Sequence, residues 1–167
     1  MQIFEAINNY SQKNFEEKMM MVCGAKNWVK RMLELRPFFS NEQVFLQAQN
    51  IWFSLTKEDW LESFSHHPKI GGKDALRKKF NTTKDWSSKE QAGMQGATDD
   101  VIDGLASGND AYDEKFGFVF LICASGKSAQ EILISLNDRL GNTLEQEIEN
   151  ASIELNEIIK IRLTKLV

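Results

Sequence analysis

Cysteine, proline and histidine each occur only twice in this 167-residue chain, and each scarcity closes off something. Cys23 and Cys123 are too few for a disulfide framework, and no Cys-x-x-Cys pair suggests zinc. A reducing, cytoplasmic setting is the expectation. With so little proline, long stretches have nothing to interrupt a helix. No apolar run approaches the ~20 residues that span a bilayer, so no membrane segment is expected. Met1-Gln2-Ile3-Phe4-Glu5 lacks the basic start and apolar core of a secretory signal, and the last residues are not a Ser-Lys-Leu address. Positive charge is not in excess: the net charge of −4 argues against a dedicated nucleic-acid binder. Neither a Gly-rich phosphate loop nor a His-Glu-x-x-His pattern occurs, and no metal site or cofactor is expected.

What is present reads as helix almost throughout. The length suits one compact domain, burying roughly two thirds of its unfolded surface. Helical segments are predicted over about 3–10, 15–22 and 26–35, the last stopped by Pro37. Asn41 is a candidate cap for a helix through Trp52-Phe53, and Thr56 for a short helix ending near the histidines. Residues 73–80 form another, and a further one starts at Asp85-Trp86-Ser87. Ser128-Ala129-Gln130-Glu131 has capping-box spacing ahead of 132–140, with Gly141 as the stop. Thr143-Leu144-Glu145-Gln146 repeats it and opens a last helix to about Leu166. The expectation is a single all-α, multi-helix domain over residues 1–167.

Both histidines stand together in His66-His67-Pro68-Lys69-Ile70-Gly71-Gly72. Histidine changes charge near neutral pH and is the default carrier of protons. Pro68 biases His67 toward extended backbone, so His67 should end a helix and be held at a rigid corner. Adjacent side chains diverge, so the pair is a poor metal site. Lys69, Lys73, Arg77, Lys78 and Lys79 then form a basic cluster, either a solvated helix face or an attractor of anionic substrate.

Three other places carry possible chemistry. Arg162 lies on the last helix within a stripe of Leu144, Ile148, Ala151, Leu155, Ile158, Ile159 and Leu166. It either snorkels to water or offers a planar fork to a carboxylate or carbonyl. Ser87 and Glu90 stand at N-cap and N3 spacing, which serves a capping box or, with Gln91, grips a ligand rich in N–H and C=O groups. The run from Phe116 to Ala124 is uncharged and mostly apolar, and periodicity cannot tell a buried strand from a core helix. Its backbone groups need partners and can also face a pocket. A nucleophilic pair of Cys123 with His67 is disfavoured, because an apolar setting leaves a thiol protonated and inert.

Taken in order, His67-Pro68-Lys69-Ile70-Gly71-Gly72, Trp86-Ser87-x-x-Glu90-Gln91-Ala92-Gly93, Phe116-Gly117-Phe118-Val119-Phe120 and Arg162 resemble the OHCU decarboxylase family. Asn27-Trp28-Val29 looks like the family's early tryptophan segment. OHCU is 2-oxo-4-hydroxy-4-carboxy-5-ureidoimidazoline, a late intermediate of urate breakdown. The resemblance spans nearly the whole chain. It implies an all-helical, cofactor-free carboxy-lyase, commonly a homodimer, that forms (S)-allantoin. It places the catalytic histidine at His67 and a second catalytic group at Glu90. Substrate binding falls on Pro68, Ser87, Gln91 and Arg162, and on Phe120, Leu121, Ile122, Cys123 and Ala124. Lys69 departs from the usual arginine or aspartate, and the second histidine, His66, is a departure that bears on proton transfer. Two other classes fit the same residues: a non-catalytic helical binding domain, and a hydrolase acting on a related ureido compound through an ordered water.

Overall fold

A computed structural model describes residues 1–69, 71–81 and 98–167. The helix expected at Asp85, with Ser87, Glu90 and Gln91, lies outside the described residues. Among those described there are nine α-helices and no β-strand, so the all-α expectation holds. The chain divides into two compact units, Met1–His66 with Ile148–Val167, and His67–Glu147.

The first unit contains α1 (Ile3–Asn9), α2 (Gln12–Val22), α3 (Lys26–Glu34), α4 (Asn41–Phe53), α5 (Lys57–Ser65) and most of α9 (Leu144–Thr164). Short polar residues start α2, α4 and α5. Ser11 accepts the Asn14 N–H, which carries α2 a turn earlier than its apolar pattern predicts. Ser40, not Asn41, caps α4, accepting from the Gln43 N–H at 3.2 Å. Asn41 instead accepts the Phe4 N–H of α1 through Oδ1. Thr56 and Asp59 close a full capping box on α5. The core is built on two tryptophans, each 0% exposed. Trp28 Nε1 donates to the Ala48 carbonyl at 3.0 Å and Trp52 Nε1 to the Ser152 carbonyl at 2.8 Å. Each indole thus buries its rings while its one donor is satisfied.

The second unit contains α6 (Lys73–Asn81), α7 (Asp99–Phe116), α8 (Ala129–Leu140) and the opening of α9 through Glu147. Thr98 caps α7, and Asp99 and Asp100 complement its positive end. The sequence pattern marks no helix start here, and Gly104, Ser107, Gly108, Asn109 and Asp110 lower local propensity. Tertiary packing overrides that: Val101, Ile102, Leu105, Tyr112 and Phe116 make a buried row, and α7 lies along α8. Gly108 permits the approach, since a β-carbon there would sit 2.6 Å from Leu136. The boxes at Ser128–Glu131 and Thr143–Gln146 are both made, as the sequence predicts. The 116–124 run is neither strand nor core helix. Phe116 ends α7 and residues 118–124 are irregular.

Candidate active site

The two histidines are separated by the end of α5. His66 is its C-cap, with φ −83° and ψ −4°, and its N–H donates to the Ser63 carbonyl at 3.1 Å. Its Cβ lies so close to Gly24 that a β-carbon there would meet it at 2.8 Å. Gly24 also has φ +83°, so glycine is required at this crossing on both counts. His67 lies one residue beyond the cap rather than ending the helix, because a residue before proline avoids helical backbone. His66 is exposed, whereas His67 is half-buried and its Nε2 is shielded from solvent. Pro68 is exposed.

Beyond the proline, Lys69 is held by α7: its Nζ lies 2.7 Å from Asp110 and 3.4 Å from Asp113. The Asp110 carboxylate keeps this ammonium protonated above the ordinary lysine range. Lys73 pairs with Asp103 at 2.9 Å and Arg77 with Asp99 at 3.3 Å. Three members of the basic cluster, Lys69, Lys73 and Arg77, are therefore matched to an acidic face of α7.

The 118–124 segment belongs to the same unit as His67 and Pro68. Phe120 and Leu121 are buried, and Ile122, Cys123 and Ala124 are half-buried. Lys127 closes its far end, with Nζ on the Cys123 carbonyl at 2.9 Å and its backbone N–H on the Ala124 carbonyl at 3.1 Å. At the near end Arg139 Nη1 donates to the Leu121 carbonyl at 2.7 Å. Arg139 Nε donates to Glu147 at 2.7 Å, and its guanidinium centre stands 4.6 Å from the Phe120 ring centroid. Glu147 is 0% exposed and also accepts from the Tyr112 hydroxyl at 2.6 Å and Asn142 Nδ2 at 2.9 Å. Burial, reinforced by the Glu147 carboxylate, pushes the Tyr112 phenol strongly up, so it acts as a donor. Sequence reasoning passed over Arg139, Glu147 and Tyr112. The available signal was Glu147 itself, four residues before Ala151 on the row that continues through Leu155, Ile159 and Leu163, every later member of which is buried.

Arg162 belongs to the first unit. It stands at the edge of the buried row rather than inside it, half-buried beside fully buried Leu163. Its Nη1 donates to the Met21 and Val22 carbonyls at 3.1 and 3.3 Å, at the C-terminal end of α2. Those carbonyls lack helical partners and carry the negative end of the helix dipole, so a cation is suited to them. Burial lowers the Arg162 pKa, and the nearby Cys23 acts in the opposite direction. The guanidinium also lines a cleft of about 490 Å³ with Lys18, Met21, Val22, Lys165 and Leu166. Cys23 itself is buried, its thiol pushed up to about 12. Among the described residues no group of three His, Cys, Asp or Glu side chains is arranged to hold a metal ion. None of the described helices is long and apolar enough to cross a membrane.

Of the predicted site residues, then, His67, Pro68 and Phe120–Ala124 share one unit, Arg162 belongs to the other, and Ser87, Glu90 and Gln91 lie outside the described residues. The sequence model of OHCU decarboxylase matches residues 8–164. The chain is 33% identical over 152 residues to the Uric acid degradation bifunctional protein TTL of Arabidopsis thaliana, covering 90% of this chain and 47% of that protein. It is 24% identical to the 2-oxo-4-hydroxy-4-carboxy-5-ureidoimidazoline decarboxylase of Halalkalicoccus jeotgali, across 97% of this chain and 90% of the relative. A crystal structure of OHCU decarboxylase in the presence of (S)-allantoin superposes with a TM-score of 0.69 at 32% identity, covering 90% of this chain and 97% of the other. The chain spans less than half of the bifunctional relatives it matches, at 47%, 32% and 31% of their lengths. With a family match running from residue 8 to residue 164, this chain belongs to the OHCU decarboxylase family.

Proposed function

We propose that this chain decarboxylates OHCU to (S)-allantoin in urate degradation, as a cofactor-independent carboxy-lyase with His67 as its acid–base group. The observation that carries the reading is the family match together with 32% identity over 97% of a decarboxylase solved with (S)-allantoin present. The chemistry suits the residues. Breaking the bond to the carboxylate leaves an electron pair that an adjacent C=N or C=O group absorbs, and a proton must then reach that carbon on one face. A histidine held at the exit of a helix, half-buried beside a proline, is suited to delivering it stereospecifically. Glu90 accepts N–H bonds from the ligand. Gln91 and Arg162 hold ring carbonyls or the ureido group, and Pro68, Ser87 and the Phe120–Ala124 backbone also contribute to substrate binding. Arg162 is assigned to the ring or ureido group because a tight grip on the leaving carboxylate would stabilise the ground state. The protein works as a cytoplasmic homodimer, with residues 1–167 acting as one domain.

Adding purified protein to freshly generated OHCU tests this directly. Accelerated CO2 release with accumulation of the S enantiomer, followed by circular dichroism, is the expected result. Consumption of OHCU without CO2 release would replace the decarboxylase with a hydrolase, and no acceleration at all would leave a binding domain.

A further inference from the structure

The irregular 118–124 segment is tied at the Leu121 carbonyl to a charged side chain, Arg139, that is itself almost buried. Three features of that tie exceed what helix packing needs. The arginine uses two edges of its fork for different jobs, Nη1 for the Leu121 carbonyl and Nε for Glu147. Its face lies over Phe120, the residue just before the one it binds, fixing the peptide from a second direction. Its counter-charge is anchored in turn by the Tyr112 hydroxyl and Asn142. A buried ion pair usually adds little net stability over apolar packing, so one spent on a loop carbonyl is better explained by the precision it gives that loop.

We propose that Arg139, oriented by Glu147, is a positioning residue: it fixes the Phe120–Ala124 backbone in the arrangement that receives the substrate's N–H and C=O groups. This rests on the decarboxylase reading above, which assigns that backbone to substrate binding. Arg139 touches no reacting atom in this scheme. Its loss shows in KM and in product affinity rather than in the chemical step.

The test uses two variants of the full chain. Arg139→Lys keeps a positive charge beside Glu147, but an ammonium cannot reproduce the two-edged fork. The double variant Arg139→Met, Glu147→Met removes both charges together, a change that buried pairs commonly tolerate, and also removes the donor to Leu121. In either variant that folds, KM for OHCU should rise about tenfold or more while kcat stays within about threefold, since misplacement of a binding group costs up to about a hundredfold. The inhibition constant of (S)-allantoin should rise in parallel, and amide hydrogen exchange should quicken across 118–124. A folded variant with wild-type KM and wild-type allantoin affinity would overturn the proposal. So would failure of both variants to fold, which would make the cluster a folding determinant only. Failure of the decarboxylase reading would look different: the wild-type protein itself would not accelerate OHCU loss, and this inference would fall with it.

Discussion

Two adjacent histidines with different surroundings make the sharpest comparison at the scale of single residues. His66 is exposed and serves as a helix cap, with its β-carbon against Gly24, whereas His67 is half-buried with a shielded Nε2. His67→Asn should lower kcat by about a hundredfold or more, while His66→Asn should change it little, as steady-state kinetics on OHCU would report. Arg162 carries a mixed burden. Its carbonyl partners on α2 mean that Arg162→Met should cost stability on the order of 1 kcal/mol, read by urea unfolding, besides weakening substrate binding. From helix geometry alone the same change would have been expected to leave stability intact. The α2 carbonyls are the reason it should not. Cys23 gives a pH signature. Its thiol is raised to about 12 from an ordinary 9.0, so between those values the unfolded chain loses a proton that the folded chain keeps. Stability should therefore hold below pH 9 and fall on the order of 1 kcal/mol per pH unit above it, in denaturant titrations across that range. At pH 8 iodoacetamide should leave Cys23 unmodified until the protein is unfolded, as peptide mass spectrometry would show.

Helix ends and helix contacts separate what local sequence dictates from what packing imposes. The boxes at Ser128 and Thr143 and the cap at Thr56 depend on residues three apart and were legible from spacing, whereas the reciprocal bond from Asp59 that completes a box at Thr56 was not read. α7 was not legible, because its glycines and short polar residues speak against a helix until α8 is placed beside it. Gly108→Ala illustrates the exchange. Alanine improves helix propensity by about 1 kcal/mol, yet its methyl would stand 2.6 Å from a terminal carbon of fully buried Leu136. Overpacking should prevail, with a net loss of about 1–2 kcal/mol in thermal or chemical unfolding. Gly108→Ala with Leu136→Ala should recover part of the contact geometry but not the lost burial, so the double variant should remain below wild type. The 118–124 run shows the opposite failure of sequence reasoning. Strongly apolar side chains suggested regular structure, whereas Arg139 and Lys127 satisfy carbonyls that a helix or a ladder would otherwise have taken.

For the whole molecule the expected reaction asks for no metal. Activity on OHCU should survive exhaustive dialysis against a strong chelator, and added zinc or manganese should not raise it. Sedimentation or light scattering should return twice the chain mass of 19.1 kDa, and a value of one chain mass would replace the homodimer with a monomer.

The sequence by itself determined the helical class, most helix starts and the order of motifs that places the chain in its family, because these depend on neighbours within four residues or on residue identity alone. Only the tertiary structure decided which charges are buried. The apolar stripe of the last helix singled out Arg162, yet the fully buried charge on that helix is Glu147, whose burial depends on Tyr112, Arg139 and Asn142 arriving from elsewhere in its unit. A one-dimensional pattern records that a charged residue falls on an apolar row. Whether the charge escapes to a carbonyl at a helix end or is enclosed and neutralised depends on partners that sequence spacing does not reveal.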